Sequence, residues 1–290
     1  MRKDFTLMAW PLLLSLAGLL LLSGERPGPL AAAEPSRDLT ARQIMALVKQ
    51  AQENWEDEVA ELAFLILDKD QDSTLRWATR KRKSCRGREG IDKKTVLLLK
   101  YPPKYRGFAY LSWSYLDPAA HDRKWLYYAD DLDTVRGRKG RRVRPLGYDR
   151  GDSFLRILFE GNDFTYEDLS ERPVEADTHR IVGQEPYNYR DCYRIESFPR
   201  DGDHAYQKRV SWIWKEAWLP LKIDFYDREG RPFKVRHNHW TKVQGIWTLR
   251  QSVMKDLRRE EMTILVTQAA VYNTGLKDYL FAPIALEQAR

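Results

Sequence analysis

The chain has 290 residues, of which 43% are apolar and 31% charged, with a formal net charge of +7. That is enough apolar material for the core of one large domain or two small ones, and it excludes a disordered polyelectrolyte or a collagen-like fibre. Trp, Tyr and Phe make up 12% of the residues, and such rigid rings favour wide β-sheets and apolar pockets.

The first segment reads as a leader. Arg2 and Lys3 precede an uncharged, Leu-rich run from Phe5 to Gly24, and Ala31-Ala32-Ala33 precedes Glu34. A basic start, an apolar middle and an A-x-A site make a secretory signal peptide. The expectation is therefore a signal peptide over residues 1–33 and a single domain over 34–290, periplasmic and soluble after cleavage. An uncleaved membrane anchor is the alternative, because the apolar run is nearly long enough to span a bilayer. No Cys precedes Cys85, so the leader offers no thiol for lipidation.

Thr40-Ala41-Arg42-Gln43 has the spacing of a capping box, and Ile44, Leu47, Val48 and Ala51 follow at helical intervals. Together they predict an amphipathic helix from about Thr40 to Glu53. Strand-like segments follow at 59–67, 74–84, 94–100, 107–114, 124–129 and 134–138, then at 179–184, 192–198, 207–215, 220–226, 233–242, 246–254 and 262–272. Turn residues separate them, as in an antiparallel meander, and Asp227-Arg228-Glu229-Gly230 and Val243-Gln244-Gly245 read as hairpin turns. So many strands must curl, split or close. With one clear long helix as a lid, a curved half-barrel is more economical than a two-layer α/β fold. Residues 151–169 interrupt the meander: Ser153 to Phe159 fits a helix, Gly161 a stop and Thr165 to Leu169 a further turn. This insert is expected to pack across one mouth or face of the sheet.

Two basic runs stand out, Arg80-Lys81-Arg82-Lys83 with Arg86 and Arg88, and Arg136 to Arg144. The first reading is a solvated face; the functional one is an acidic partner or anionic lipid headgroups at a membrane surface. Nucleic acid is not expected as a partner of an exported protein. Cys85 and Cys192 lack any spacing signature, which leaves a disulfide and two buried thiols both open.

Catalytic motifs are missing. There is no G-x-S-x-G elbow, P-loop, G-x-G-x-x-G fingerprint or H-E-x-x-H. His237-Asn238-His239 is the best metal candidate, since residues two apart on a strand share a side, but His121, His179 and His204 lie in separate segments and no third ligand is evident. The expectation is a protein that is not an enzyme, with no cofactor and no metal. Aromatic spacing says more. Phe108 and Tyr110, Trp125 and Tyr127, and Trp212 and Trp214 each share one face of a strand. In a curved sheet that one helix cannot fill, part of this lining would border an apolar cavity. The candidate ligand-binding residues are Phe108, Trp125, Tyr127, Phe154, Leu158, Trp212 and Trp214.

Several phrases resemble the exported LolA-like family of outer-membrane lipoprotein-sorting proteins. Pro102 to Leu111 is similar to that group's P-x-x-x-x-G-x-x-x-L hairpin, Trp125-Leu126-Tyr127 to its W-L-Y strand, and Phe281 to Leu286 to its C-terminal ending. Most specific is the signature G-x-D-F-x-Y-E-D-L, carried here by Gly161, Asp163, Phe164, Tyr166, Glu167, Asp168 and Leu169. The resemblance spans roughly residues 60 to 286. It implies an incomplete β-barrel with helices over its opening, no catalytic residues, and an apolar cavity for acyl chains. On that basis the expected function is an exported carrier or sensor of lipid or acyl chains, in outer-membrane lipoprotein or lipid sorting. Its partners would be a lipid or acylated protein, with an inner-membrane exporter or outer-membrane acceptor. A ligand-free scaffold of an envelope complex and an unrecognised hydrolase are the alternatives.

Overall fold

A computed structural model describes residues 39–117, 119–127, 143–146, 164, 168, 172–200 and 206–287. The first element is helix α1 (Ala41–Gln52), opened by the capping box expected from the sequence. Thr40 Oγ1 accepts from the Gln43 amide at 3.3 Å while Gln43 Oε1 accepts from the Thr40 amide at 2.9 Å. Two of the amides that every helix start leaves without an intrahelical partner are thereby satisfied. The buried residues Ala41, Ile44 and Val48 form one stripe at helical spacing, and that stripe packs on Ile195 and Ile213 of the sheet.

Among the described residues thirteen strands follow: β1 (Asp57–Leu67), β2 (Ser73–Ser84), β3 (Ile91–Tyr101), β4 (Ala109–Tyr115), β5 (Arg123–Tyr127), β6 (Val143–Leu146), β7 (Asp177–Tyr187), β8 (Arg190–Pro199), β9 (Lys208–Trp214), β10 (Leu219–Tyr226), β11 (Pro232–Val243), β12 (Ile246–Asp256) and β13 (Glu261–Tyr272). They make one antiparallel sheet in the order β6-β5-β4-β3-β2-β1-β13-β12-β11-β10-β9-β8-β7. The chain starts at the centre, steps outward to β6, crosses to the opposite edge at β7 and returns to pair β13 with β1. Among the described residues the two edges are β6 and β7, so the sheet is an incomplete barrel. The β11–β12 turn shows how local chemistry fixes register: Gln244 and Gly245 both have positive φ, at 52° and 78°, and Val243 pairs with Ile246 across them. That is the two-residue hairpin whose backbone twist matches its strands.

The sheet is strongly curled. Arg80 of β2 and His179 of β7 line one cavity although eight strand steps separate β2 from β7; in a flat sheet those steps would amount to roughly 38 Å. The inner face carries the main core, including Phe64, Leu99, Phe108, Leu126, Ile223, Phe225, Met254 and Leu265. The outer face is covered locally by the C-terminal segment. Phe281 and Leu286 bury themselves against Val96, Ala109, Leu111 and Tyr127, and Trp113 Nε1 donates to the Phe281 carbonyl at 2.9 Å. Asp57 anchors that segment by accepting from the amides of Thr274, Gly275 and Leu276 and from the Thr274 hydroxyl, at 2.8–3.0 Å. These donors outweigh the cost of burial and hold its carboxyl below the usual range.

Three expectations need adjusting. The strand expected at 134–138 lies outside the described residues, and the strand beside β5 is Val143–Leu146, reaching into the second basic run. The first basic run is a solvated face only in part: Arg86 and Arg88 are exposed, but alternation along β2 turns Arg80 and Arg82 inward on the side of buried Ala78, where both pair with the fully buried Glu58. Cys85 and Cys192 are both buried free thiols, so the pairing left open by the sequence is resolved against a disulfide.

Candidate functional site

A cavity of about 140 Å³ lies between α1 and the inner face of the sheet. Met45, Val48, Lys49 and Gln52 of α1 form its roof, and Ile213, Ile223, Phe225, Leu249 and Leu265 supply apolar wall. Trp240 and Trp247 line it as well. Between these apolar surfaces sit two clusters of buried charge.

In the first, Glu58 accepts from Arg80 Nε and Nη2 at 3.1 and 2.9 Å and from Arg82 Nε at 2.5 Å. Burial alone would raise its pKa; the charges of Arg80 and Arg82 outweigh that and pull it down to about 2. Tyr272, hydrogen-bonded to Thr248 at 2.9 Å, closes this end of the cavity, and burial beside Glu58 raises its phenol. In the second, Asp177 pairs with Arg172 at 3.1 Å and with Arg209. His179 lies alongside. Its Nε2 is 2.9 Å from the Val174 carbonyl, which can only accept, so Nδ1 accepts from the Ser197 hydroxyl at 2.8 Å. Burial lowers its pKa, which keeps the ring neutral.

Asp168 of the signature lines the cavity on this side. Phe164 is buried in the inner core, with the Arg236 guanidinium 5.5 Å above its ring. Arg236 Nη1 donates to the Asp168 carbonyl at 2.6 Å, its Nε reaches Asn238 Oδ1 and Ser252 Oγ at 2.9 Å, and Lys234 Nζ sits 3.6 Å from the Asp168 carboxylate. Gly161, Asp163, Tyr166, Glu167 and Leu169 lie outside the described residues, as do Phe154 and Leu158.

The remaining sequence candidates divide between the two faces of the sheet. Phe108 belongs to the inner core cluster that also contains the cavity residues Ile223, Phe225 and Leu265. Trp125 and Tyr127 pair with Leu111 and Ala109, on the outer face beneath the C-terminal segment. Trp212 packs with Cys192, Val210 and Leu221, on the face of β9 opposite Ile213. Trp214 belongs to the same outer cluster, but its ring centroid is 5.7 Å from that of Trp247, at the cavity rim. None of these five is part of the lining itself. The lining residues that sequence reasoning missed include Glu58, Arg80, Arg82, Asp177, Arg209, Trp240 and Trp247; the one available signal was the alternation Ala78, Arg80, Arg82, which puts both arginines on an apolar face. His237 Nδ1 lies 2.6 Å from Tyr187 Oη, and among the described residues no group of three His, Cys, Asp or Glu side chains could hold a metal ion.

An open, curled antiparallel sheet with a helix roofing its inner face defines a LolA-like fold, and solved structures carry it. A domain described as an outer membrane lipoprotein-sorting protein, from Vibrio parahaemolyticus, is 26% identical with a TM-score of 0.73, over 85% of this chain and 98% of that one. A DUF1329 family protein from Desulfovibrio piger is 24% identical with a TM-score of 0.74, over 85% and 97%. A LolA superfamily protein from Nitrosomonas europaea is 17% identical with a TM-score of 0.62, over 84% and 98%. A family model described as "Uncharacterized protein" matches residues 91–288, more than half of the chain, and the chain belongs to that family. No curated protein matches the chain.

Proposed function

We propose that the protein is a non-catalytic carrier or sensor of lipid or acyl chains, held between α1 and the inner face of the sheet. The observation that carries this reading is the cavity itself: a floor of apolar side chains flanked by buried charge, roofed by a single amphipathic helix, in a fold shared with a domain described as lipoprotein-sorting. Pockets for drug-sized ligands measure about 300–1,000 Å³, and this cavity measures about 140 Å³. A long chain therefore enters as α1 lifts from Ile195 and Ile213, which exchanges one apolar surface on the sheet for another.

The leader-like residues 1–33 support export, and we propose that the protein works in the periplasm, in lipid or lipoprotein sorting. No helix among the described residues is long and apolar enough to cross a membrane. N-terminal sequencing of the exported protein is expected to begin at Glu34; recovery of Met1 to Ala33 on membrane-bound protein would contradict it. The ligand reading is tested by titrating alkyl chains of eight to sixteen carbons against tryptophan fluorescence. Each buried CH₂ contributes about 0.8 kcal/mol, so affinity should climb steeply with length. A flat dependence, or no binding at any length, would refute the carrier reading.

A further inference from the structure

Alternate turns of an antiparallel meander fall at the same end of its strands, and here the β7–β8, β9–β10 and β11–β12 turns are joined by ring contacts. Trp214 of β9 lies 5.7 Å from Trp247 of β12, centroid to centroid, and Tyr193 of β8 stacks at 6.2 Å on Trp218 of the β9–β10 turn. Cations of the same hairpins sit over these rings. Arg190 is 3.8 Å from the Trp214 centroid, Lys215 5.0 Å from that of Tyr193 and Lys242 4.9 Å from that of Trp247. Lys215 also donates to Gln184 Oε1 at 2.6 Å, but none of the three forms an ion pair among the described residues. The acids of these hairpin ends are Asp191 and Glu216, both exposed, and Glu185, which Arg194 meets at 3.3 Å. The rings border the cavity: Trp247 lines it, and Tyr193 and Trp218 pack with Met45 of its roof against Ile195 and Ile213.

Tyr189 stands at the outermost of these turns. Tyr187 pairs with Arg190, so Asn188 and Tyr189 make up the whole β7–β8 turn, with φ of 47° and 61°. A two-residue turn of this kind needs positive φ at both positions, and Gly is the ordinary second residue. This chain instead carries a ring there and leaves it wholly in water, at 106% exposure. The ring strains its own backbone and buries nothing within the fold.

We infer that these three hairpin ends form a docking face for a lipid bilayer with anionic headgroups. Trp and Tyr rings settle at headgroup level, where their apolar bodies leave water while their N–H and O–H groups stay wet. Arg190, Lys215 and Lys242 lie among those rings without a carboxylate to neutralise them, and their charges meet the lipid phosphates. Tyr189 leads at the tip. The face is defined by its own surface and not by what the cavity holds, so it goes beyond the carrier reading; docking there puts the Trp247 side of the cavity beside the bilayer.

Co-sedimentation of the exported protein with vesicles tests it, using phosphatidylcholine alone and phosphatidylcholine with about 30% phosphatidylglycerol. Partitioning is expected on the anionic vesicles and should weaken in high salt, which screens attraction to a charged surface. Lys215→Gln combined with Lys242→Gln should lower it about 30-fold, since each cation near such a surface contributes about fivefold. Tyr189→Gly suits the left-handed turn and keeps the fold, and it should weaken partitioning several-fold while alkyl-chain binding stays unchanged. Partitioning that ignores the anionic lipid, or that survives both variants undiminished, would overturn the assignment of the face. No binding to either vesicle would overturn membrane docking in favour of a protein surface as the occupant, and alkyl-chain binding would then still stand for the carrier reading. Binding to anionic vesicles without alkyl-chain binding would refute the carrier reading and keep the docking face. Should the lysine variant fail to fold, the two vesicle types and Tyr189→Gly still decide.

Discussion

Replacing Glu58 by Gln removes the one carboxylate that Arg80 and Arg82 share inside the sheet. Its pKa of about 2 against a usual 4.5 corresponds to about 3 kcal/mol favouring the folded state once the group is ionised. Loss of one partner from a buried ion pair costs a similar amount, about 3–5 kcal/mol, because the surviving charges stay buried. The pH dependence follows from the direction of the shift. A carboxyl depressed on folding stabilises fully above its unfolded pKa, and that contribution fades as pH falls from about 4.5 towards about 2. Urea unfolding of wild type and Glu58→Gln at pH 7 should therefore differ by about 3 kcal/mol or more, and most of the gap should close near pH 2. An undiminished gap over that range, or a variant as stable as wild type at pH 7, would show that the Arg80–Glu58–Arg82 cluster does not act as described.

Phe164→Ala should cost about 3–5 kcal/mol in urea unfolding, because its ring is buried in the inner core beneath Arg236; wild-type stability would place that ring outside the core. Asp57→Ala should cost about 2 kcal/mol and, in hydrogen exchange, speed the amides of residues 274–287, since that carboxylate accepts from Thr274, Gly275 and Leu276. Unchanged protection there would contradict the anchoring role. Because the Asp57 carboxyl is held below its usual range, its contribution is present above the unfolded pKa and disappears as pH falls.

Local patterns made much of the fold legible. The capping box at Thr40 and Gln43 and the apolar stripe of α1 specify a helix before any contact is known. Apolar alternation did the same for most strands. The short edge strand β6 escaped because its four residues include Arg144 and Pro145, which carry no alternation; proline is tolerated there because an edge strand leaves some amides unused. Which aromatic rings face inward was not legible. Spacing shows that Trp125 and Tyr127 share a face, but only the pairing of Tyr127 with Ala109 and of Leu126 with Tyr110 sets that face opposite the inner core. The charged lining was hidden for the same reason. Arg80 and Arg82 read as a basic run until the register of β1 against β2 brings Glu58 beside them.

A ligand held between α1 and the inner face of the sheet lies beside the rings that line the cavity, so a chain brominated along its length should quench those rings first. Bromine quenches only nearby rings: Trp247 and Trp240 line the cavity, Trp240 also packing against the cluster around Trp212, whereas Trp125 and Trp212 lie on the outer face. Bound chain is expected to quench wild type and the Trp125→Phe and Trp212→Phe variants alike, and to lose most of its effect in Trp240→Phe combined with Trp247→Phe. Quenching that persists in that double variant and vanishes with Trp125 or Trp212 would move the ligand to the outer face and contradict the account.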